Sequence, residues 1–116
     1  MHGGKAKPLT SVYEHDPEMA DIVAMFVAEM PDRSAELRSA CEAGDLEAAL
    51  TIAHQLKGAA GGYGFEHLGD IAASAESSLK SLRSAHVGPS AGSLLAAAGP
   101  LLEALSRVRL SVEKAA

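Results

Sequence analysis

Apolar side chains in the first third of the chain recur three and four residues apart, which is the spacing of an amphipathic helix. Asp16 and Pro17 predict where this helix starts, because a side-chain acceptor at the N-cap is followed by proline at the first helical position. The stripe continues past Pro31, so we predict either one helix kinked near this proline or two stacked segments. Gly44 fits the end of the helix. The apolar stripe consists of Met19, Ile22, Val23, Phe26, Met30, Leu37 and Cys41.

Two further helices follow with the same periodicity. Asp45 is the predicted N-cap of the second helix. The Gly61–Gly62 pair and Gly64 mark the end of this helix or a joint to the next one. The third helix is predicted from about Phe65 to Leu82. The stripe of the second helix is Leu46, Ala49, Leu50, Ala53, Leu56 and Ala60, and that of the third is Phe65, Leu68, Ala72, Ala75, Leu79 and Leu82.

The last helix is predicted to follow a loop at residues 87–90 and to carry its apolar face as far as Val112, with Gly99–Pro100 bending or dividing it. Short connections make consecutive helices antiparallel neighbours. We therefore predict an all-α fold, an up-down antiparallel four-helix bundle with an additional N-terminal helical segment. The bundle domain is expected over residues 16–114, after a flexible lead-in at residues 1–15.

Composition and charge narrow the class of protein. The chain has no tryptophan and only 3% aromatic residues, so the core must consist of aliphatic side chains on closely packed helices. A formal charge of −5 without a long basic run argues against nucleic-acid binding. The lone Cys41 cannot form an internal disulfide, which suits a reducing compartment. No run of 18 apolar residues is present, so we expect a cytoplasmic protein without a membrane partner.

The candidate chemistry is centred on His54. On a helical projection it lies on the flank of the apolar stripe, a quarter-turn or more from its centre, so it is neither a core residue nor fully free. Its neighbours one turn away are poor metal ligands, and Lys57 would repel a cation, so no metal site is predicted. His67 and Asp70 are three residues apart but lack a visible third ligand.

A histidine in this setting is suited to nucleophilic chemistry. An unperturbed imidazole is largely neutral near pH 7, and its free nitrogen is a good nucleophile. Lys57, one turn further on, could neutralise the oxygens of a transferred phosphoryl group, and Gly58 removes a side chain from the same side of the helix. The glycines do not form a phosphate-binding loop, because Lys57 precedes them and no strand leads into them.

These residues resemble a known family, the histidine-containing phosphotransfer (HPt) domains of two-component phosphorelays. The family signature is His-x-Leu-Lys-Gly-Ala/Ser-Ala-x-x-x-Gly. It is matched by His54, Leu56, Lys57, Gly58, Ala59, Ala60 and Gly64, and further matches are Ala53, the Ala75–Glu76 pair, Phe26 and Gly44–Asp45.

The resemblance implies specific roles for residues of the second and third helices. His54 would be the phosphoryl carrier, and Lys57 would assist electrostatically. Gln55, Gly58 and Gly61 would form the surface on which a receiver domain docks. Glu76 falls where the family often has a residue that accepts a hydrogen bond from imidazole Nδ1, leaving Nε2 as the nucleophile.

The resemblance also implies partners. These would be response-regulator receiver domains and a sensor or hybrid histidine kinase, and the Mg²⁺ of the reaction would belong to the receiver, so no cofactor is expected here. The chain would be a carrier and not an enzyme, because it shows no ATP-binding element. We expect a monomer, although a dimeric, kinase-like phosphotransfer protein is a further possibility. The alternative reading is a non-catalytic helical interaction module that docks signalling partners.

Overall fold

Four α-helices form the fold in the computed structural model, which describes residues 7–85 and 88–111. They are α1 (Ala20–Glu42), α2 (Leu46–Gly62), α3 (Glu66–Arg83) and α4 (Ala91–Leu105). No strand occurs in the described residues, where the only β-type pairing is an isolated bridge between Leu9 and Val108. The all-α prediction is therefore confirmed. Residues 1–6, Val87 and Val112–Lys114, about which the sequence also made predictions, lie outside the described residues.

The helices pack in a closed ring, each against its neighbours in the chain, and α4 returns to α1. Phe26 in the first half of α1 stacks on Tyr63 at the end of α2, with ring centroids 4.8 Å apart. Arg83 at the end of α3 pairs with Glu47 at the start of α2. These contacts make α2 antiparallel to both α1 and α3, as the short connections predicted.

The first helix is one continuous element that contains Pro31. It begins at Ala20, three residues later than the predicted first helical position, Pro17. Asp16 still organises this start, because its Oδ1 accepts a hydrogen bond from the Glu18 amide and its carbonyl accepts one from the Ala20 amide. The residues in between form a turn that leads into α1. Burial in this helix raises the pKa of the Cys41 thiol.

The second and third helices begin and end close to the predicted positions. Asp45 is the N-cap of α2, and its Oδ1 accepts a hydrogen bond from the Ala48 amide at 3.1 Å. Gly61 and Gly62 are the last residues of α2, and Gly64 then takes a φ of +86°, in the region that favours glycine. The chain thereby reverses into α3 within three residues.

The last helix is shorter than predicted. It begins at a capping box formed by Ser90 and Ser93, includes Pro100 without dividing, and ends at Leu105. Val108, which the apolar stripe predicted to be part of this helix, is buried in the segment that follows it. The Leu9 amide donates to the Arg107 carbonyl, and the Arg109 amide donates to the Leu9 carbonyl, so this segment pairs with the N-terminal part of the chain.

The predicted additional N-terminal helical segment does not form among residues 7–19, which contain turns instead. The reason is that backbone and side-chain groups here bond to the bundle. We call residues 7–15 the N-terminal arm. Within it, the Val12 amide donates to the Gly64 carbonyl, and the Ser11 hydroxyl donates to the Tyr63 carbonyl. The described part of the predicted lead-in is thus attached over the corner between α2 and α3.

Candidate functional site

His54 projects from the middle of α2 into solvent. Its side chain is 67% exposed, whereas Ala53 and Leu56 on either side are buried in the core. The predicted apolar stripe of α2 is therefore the buried face, and His54 lies at its edge, as the helical projection indicated. A histidine in this position is open to a partner while one edge of its ring still faces the neighbouring helix.

Small side chains bring α3 close to this part of α2. Ala53, Ala60 and Ala72 are completely buried between the helices. A Cβ atom added to Gly69 of α3 would lie 3.7 Å from the Cβ of Ala60, which is ordinary van der Waals contact. Because the backbones are separated by so little side-chain volume, a long side chain on α3 can reach across to His54.

That side chain is Glu76, which is only 6% exposed and lies among three basic groups. Its Oε2 is 2.9 Å from His54 Nδ1, and its Oε1 accepts a hydrogen bond from Lys57 Nζ at 2.9 Å. Lys80, one turn further along α3, places its Nζ 3.7 Å from Oε2. A buried carboxylate with these partners is satisfied and charged.

These contacts lower the pKa of Glu76 to about 2. The largest cause is the hydrogen bond from Lys57, which outweighs the opposing effect of burial, and the hydrogen bond from His54 and the charges of Lys57 and Lys80 add to it. An ionised carboxylate can only accept hydrogen bonds, so His54 Nδ1 must be the donor. The neutral imidazole then carries its lone pair on Nε2, the nitrogen on the other side of the ring.

The residues predicted to form a docking surface lie near His54 on α2. Gly58 and Gly61 are exposed and follow His54 by four and seven residues, so they share its face of the helix. A Cβ atom at either glycine would meet nothing within 4 Å. Gln55 is exposed on the side that faces α1. Next to His54, the backbone of α2 at Gly58 and Gly61 is therefore not covered by side chains.

The first part of α1 and the N-terminal arm carry large apolar side chains that are exposed. Ile22 and Met25 are 42% and 64% exposed. Tyr13 and Val12 of the N-terminal arm are also exposed, at 39% and 79%. Exposed apolar side chains of this size contribute to protein interaction surfaces where they form a contiguous patch.

The sequence alone did not identify the basic residues of α3 as part of the site. An open depression of about 290 Å³ lies beside His54, and its lining includes Glu76, Lys80 and Arg83. Lys80 could have been found, because it follows Glu76 by four residues on the helix. Arg83 makes two hydrogen bonds to Glu47, which is 36 residues away in the sequence, and this contact has no sequence signal.

In the described ranges, no group of three or more histidine, cysteine, aspartate or glutamate side chains could hold a metal ion. None of the helices described is both long and apolar enough to cross a membrane.

The fold is thus a bundle of four helices with an exposed histidine that is oriented through Nδ1 by a buried carboxylate. The comparison with family models assigns the chain to a family. The model described as "Hpt domain" matches residues 21–111, which is most of the chain, and the protein therefore belongs to the Hpt domain family. A search of curated proteins gave no match, and a search of solved structures gave none either.

Membership of this family places the protein in histidine phosphotransfer in two-component signalling. Members are carriers of phosphoryl groups and not kinases, and they interact with receiver domains and histidine kinases in phosphorelays.

Proposed function

We propose that His54 accepts a phosphoryl group from the phospho-aspartate of a receiver domain, or from a hybrid kinase, and passes it to the aspartate of another receiver. The observation that carries this proposal is the contact between His54 Nδ1 and Glu76 Oε2 at 2.9 Å on a side chain that is 67% exposed. The contact fixes the tautomer that a phosphoryl acceptor needs, and the exposure admits the partner.

The transfer step follows from this geometry. The lone pair of His54 Nε2 attacks the phosphorus of the partner's acyl phosphate, the N–P bond forms, and the O–P bond breaks as the aspartate carboxylate leaves. The ring becomes cationic while its proton stays on Nδ1, hydrogen-bonded to the ionised Glu76. In the return step the aspartate carboxylate of the second receiver attacks the phosphorus, the O–P bond forms and the N–P bond breaks. Because Nδ1 keeps its proton, the ring departs as a neutral imidazole, which is a better leaving group than an imidazolate. We expect the Mg²⁺ of both steps to be held by the receiver.

Lys57 supports the reaction through Glu76. Its ammonium donates to Oε1 of Glu76, which leaves Oε2 for His54 and keeps the carboxylate ionised. Gly58 and Gly61 leave space for the receiver on the face of α2 that carries His54, and Gln55 borders this space on the α1 side. The monomeric state and the cytoplasmic location predicted from the sequence are part of this proposal.

The test is phosphotransfer from a receiver domain that has been charged with labelled acetyl phosphate. We expect label to move to the wild-type chain and not to the His54→Gln variant. His67→Gln is the matched control, because His67 is an exposed histidine on α3 and should leave transfer unchanged. Equal labelling of the wild type and His54→Gln would contradict the proposal. Tight receiver binding without any transfer would instead favour the non-catalytic interaction module.

A further inference from the structure

Three basic side chains surround His54, and they differ in how far their charges are already engaged. Lys57 donates a hydrogen bond of 2.9 Å to Glu76 Oε1. Arg83 is bound by both oxygens of Glu47, at 2.9 and 3.2 Å. Lys80 Nζ lies 3.7 Å from Glu76 Oε2, so the two groups form an ion pair but are too far apart for a hydrogen bond. The Lys80 side chain is 58% exposed. In the part of the chain that the structure describes, its ammonium makes no hydrogen bond.

Lys80 also faces the space beside the histidine ring. The depression next to His54 is lined by Lys80 and Glu76, whereas Lys57 lies outside its lining. His54 Nδ1 and Lys80 Nζ lie 2.9 and 3.7 Å from the same oxygen, Glu76 Oε2, so they are at most 6.6 Å apart. A lysine side chain has a flexible four-carbon stem that can move its charge over a few ångströms.

A phosphoryl group on Nε2 would change the charge balance of this depression. It brings roughly 1.5 to 2 negative charges and three acceptor oxygens. Glu76 would stay paired with Lys57 and His54 if Lys80 turned away, because both of these contacts are hydrogen bonds of 2.9 Å. Lys80 can therefore exchange its looser ion pair for a charge-assisted hydrogen bond to the phosphoryl group.

We propose that Lys80 binds the oxygens of the phosphoryl group on His54, while Lys57 acts only through Glu76. This inference rests on the proposed function of His54. It assigns the direct phosphoryl contact to a residue of α3 that lies outside the recognised signature.

The test uses phosphoramidate, a small donor that reports on His54 without a partner protein. The Nε2 lone pair attacks its phosphorus, the N–P bond of the donor breaks, and ammonia leaves. The variants are Lys80→Ala, Lys80→Arg and Lys57→Ala, and Lys7→Ala is the control that removes the same charge from the N-terminal arm. Phosphohistidine formation and its pH titration are followed by ³¹P NMR, and the fold by circular dichroism.

We expect Lys80→Ala to take up phosphate roughly three- to tenfold more slowly than the wild type. This is the effect expected when a half-exposed, charge-assisted hydrogen bond to the transferred group is lost. The phosphoryl signal of this variant should also titrate at higher pH, because loss of a neighbouring cation favours the protonated group. Lys80→Arg should retain most of both properties, and Lys57→Ala should leave the phosphoryl titration unchanged.

Two outcomes separate this inference from the proposed function. A wild type that forms phosphohistidine at His54, with a Lys80→Ala variant indistinguishable from Lys7→Ala, would overturn the inference and leave the function standing. A wild type that forms no phosphohistidine would overturn both. A titration shift in Lys57→Ala equal to that in Lys80→Ala would contradict the division of roles between the two lysines.

Discussion

Glu76 determines which nitrogen of the neutral His54 ring carries the proton, because it is a buried carboxylate that stays ionised. A carboxylic acid in this position could donate to Nδ1, and the imidazole would then present the opposite tautomer to the partner. Three basic side chains prevent this, two from the neighbouring helix and Lys80 from α3 itself. At the scale of residues, Glu76 therefore sets the tautomer of His54, and with it the nitrogen, Nε2, that is proposed to accept the phosphoryl group.

We predict that Glu76 makes a pH-dependent contribution to stability. Its pKa falls from an ordinary 4.5 to about 2 on folding, so folding favours the charged form. The contribution is fully present above pH 4.5 and is lost as the pH falls through about 2, where both states are protonated. The free energy of unfolding of the wild type should exceed that of Glu76→Gln by a constant amount near neutral pH, and this excess should shrink on acidification.

Urea unfolding at a series of pH values measures this excess. Glu36→Gln is the matched control, because Glu36 is exposed and pairs only with Arg33 in the described residues. An excess that did not change between neutral pH and pH 2 would show that Glu76 is not held in its charged form by the fold.

At the scale of helices, the boundaries of α2 and α3 were predictable because their signals are local. Asp45 caps α2, glycines end it, and the apolar stripe has the helical period throughout. The end of α4 was not predictable, since Val108 continues the stripe but is buried by pairing with Leu9, 99 residues away. Contacts between distant residues also limited what could be predicted for the site. The family resemblance indicated Glu76 as the acceptor, but only the fold shows that it lies within hydrogen-bond distance of His54.

The glycine in the middle of α2 has no structural cause among the described residues. A Cβ atom at Gly58 would meet nothing within 4 Å, yet glycine in a helix costs about 1 kcal/mol relative to alanine. Proteins retain such a cost where a partner or ligand approaches the backbone closely. Gly58 follows His54 by four residues on the same face, which is where the receiver would have to approach.

We predict that Gly58→Leu folds normally and slows phosphotransfer from a receiver much more than phosphate uptake from phosphoramidate. The added side chain would stand in the docking surface but has no contact to disturb in the free protein. Gly99→Leu is the control, because a Cβ atom at Gly99 on α4 also meets nothing within 4 Å. Stopped-flow or gel-based transfer kinetics measure the effect. Equal rates for Gly58→Leu and the wild type would remove Gly58 from the docking surface.

At the scale of the whole molecule, the N-terminal arm joins both ends of the described chain to the bundle. Leu9 pairs with Val108 beyond α4, and the Ser111 amide donates to the Glu14 carboxylate. The centre of the arm crosses Gly64, whose carbonyl accepts from the Val12 amide at 3.1 Å. Position 64 therefore requires glycine for two reasons: its φ is positive, and the arm occupies the space that a Cβ atom would need.

We therefore predict that Gly64→Ala destabilises the fold by displacing the arm. An added Cβ atom would overlap Ser11 Oγ, would lie 2.9 Å from the Tyr13 ring, and would sit on a backbone with φ of +86°. The strain and the lost hydrogen bonds should together lower the free energy of unfolding by ~2–4 kcal/mol. Gly62→Ala is the control, since Gly62 is helical and unobstructed, and it should be neutral or stabilising by up to about 1 kcal/mol.

Hydrogen exchange distinguishes displacement of the arm from a general loss of stability. The Val12 amide should exchange faster in Gly64→Ala by a larger factor than amides in the centre of α2, because its hydrogen bond is the one that the added methyl group pushes apart. Uptake of phosphate from phosphoramidate should remain at the wild-type rate, since His54 lies eight residues, about 12 Å along the helix, before the end of α2 at Gly62. Unchanged protection of Val12 together with lowered stability would mean that the backbone strain at residue 64 acts alone and that the arm is not held by this corner.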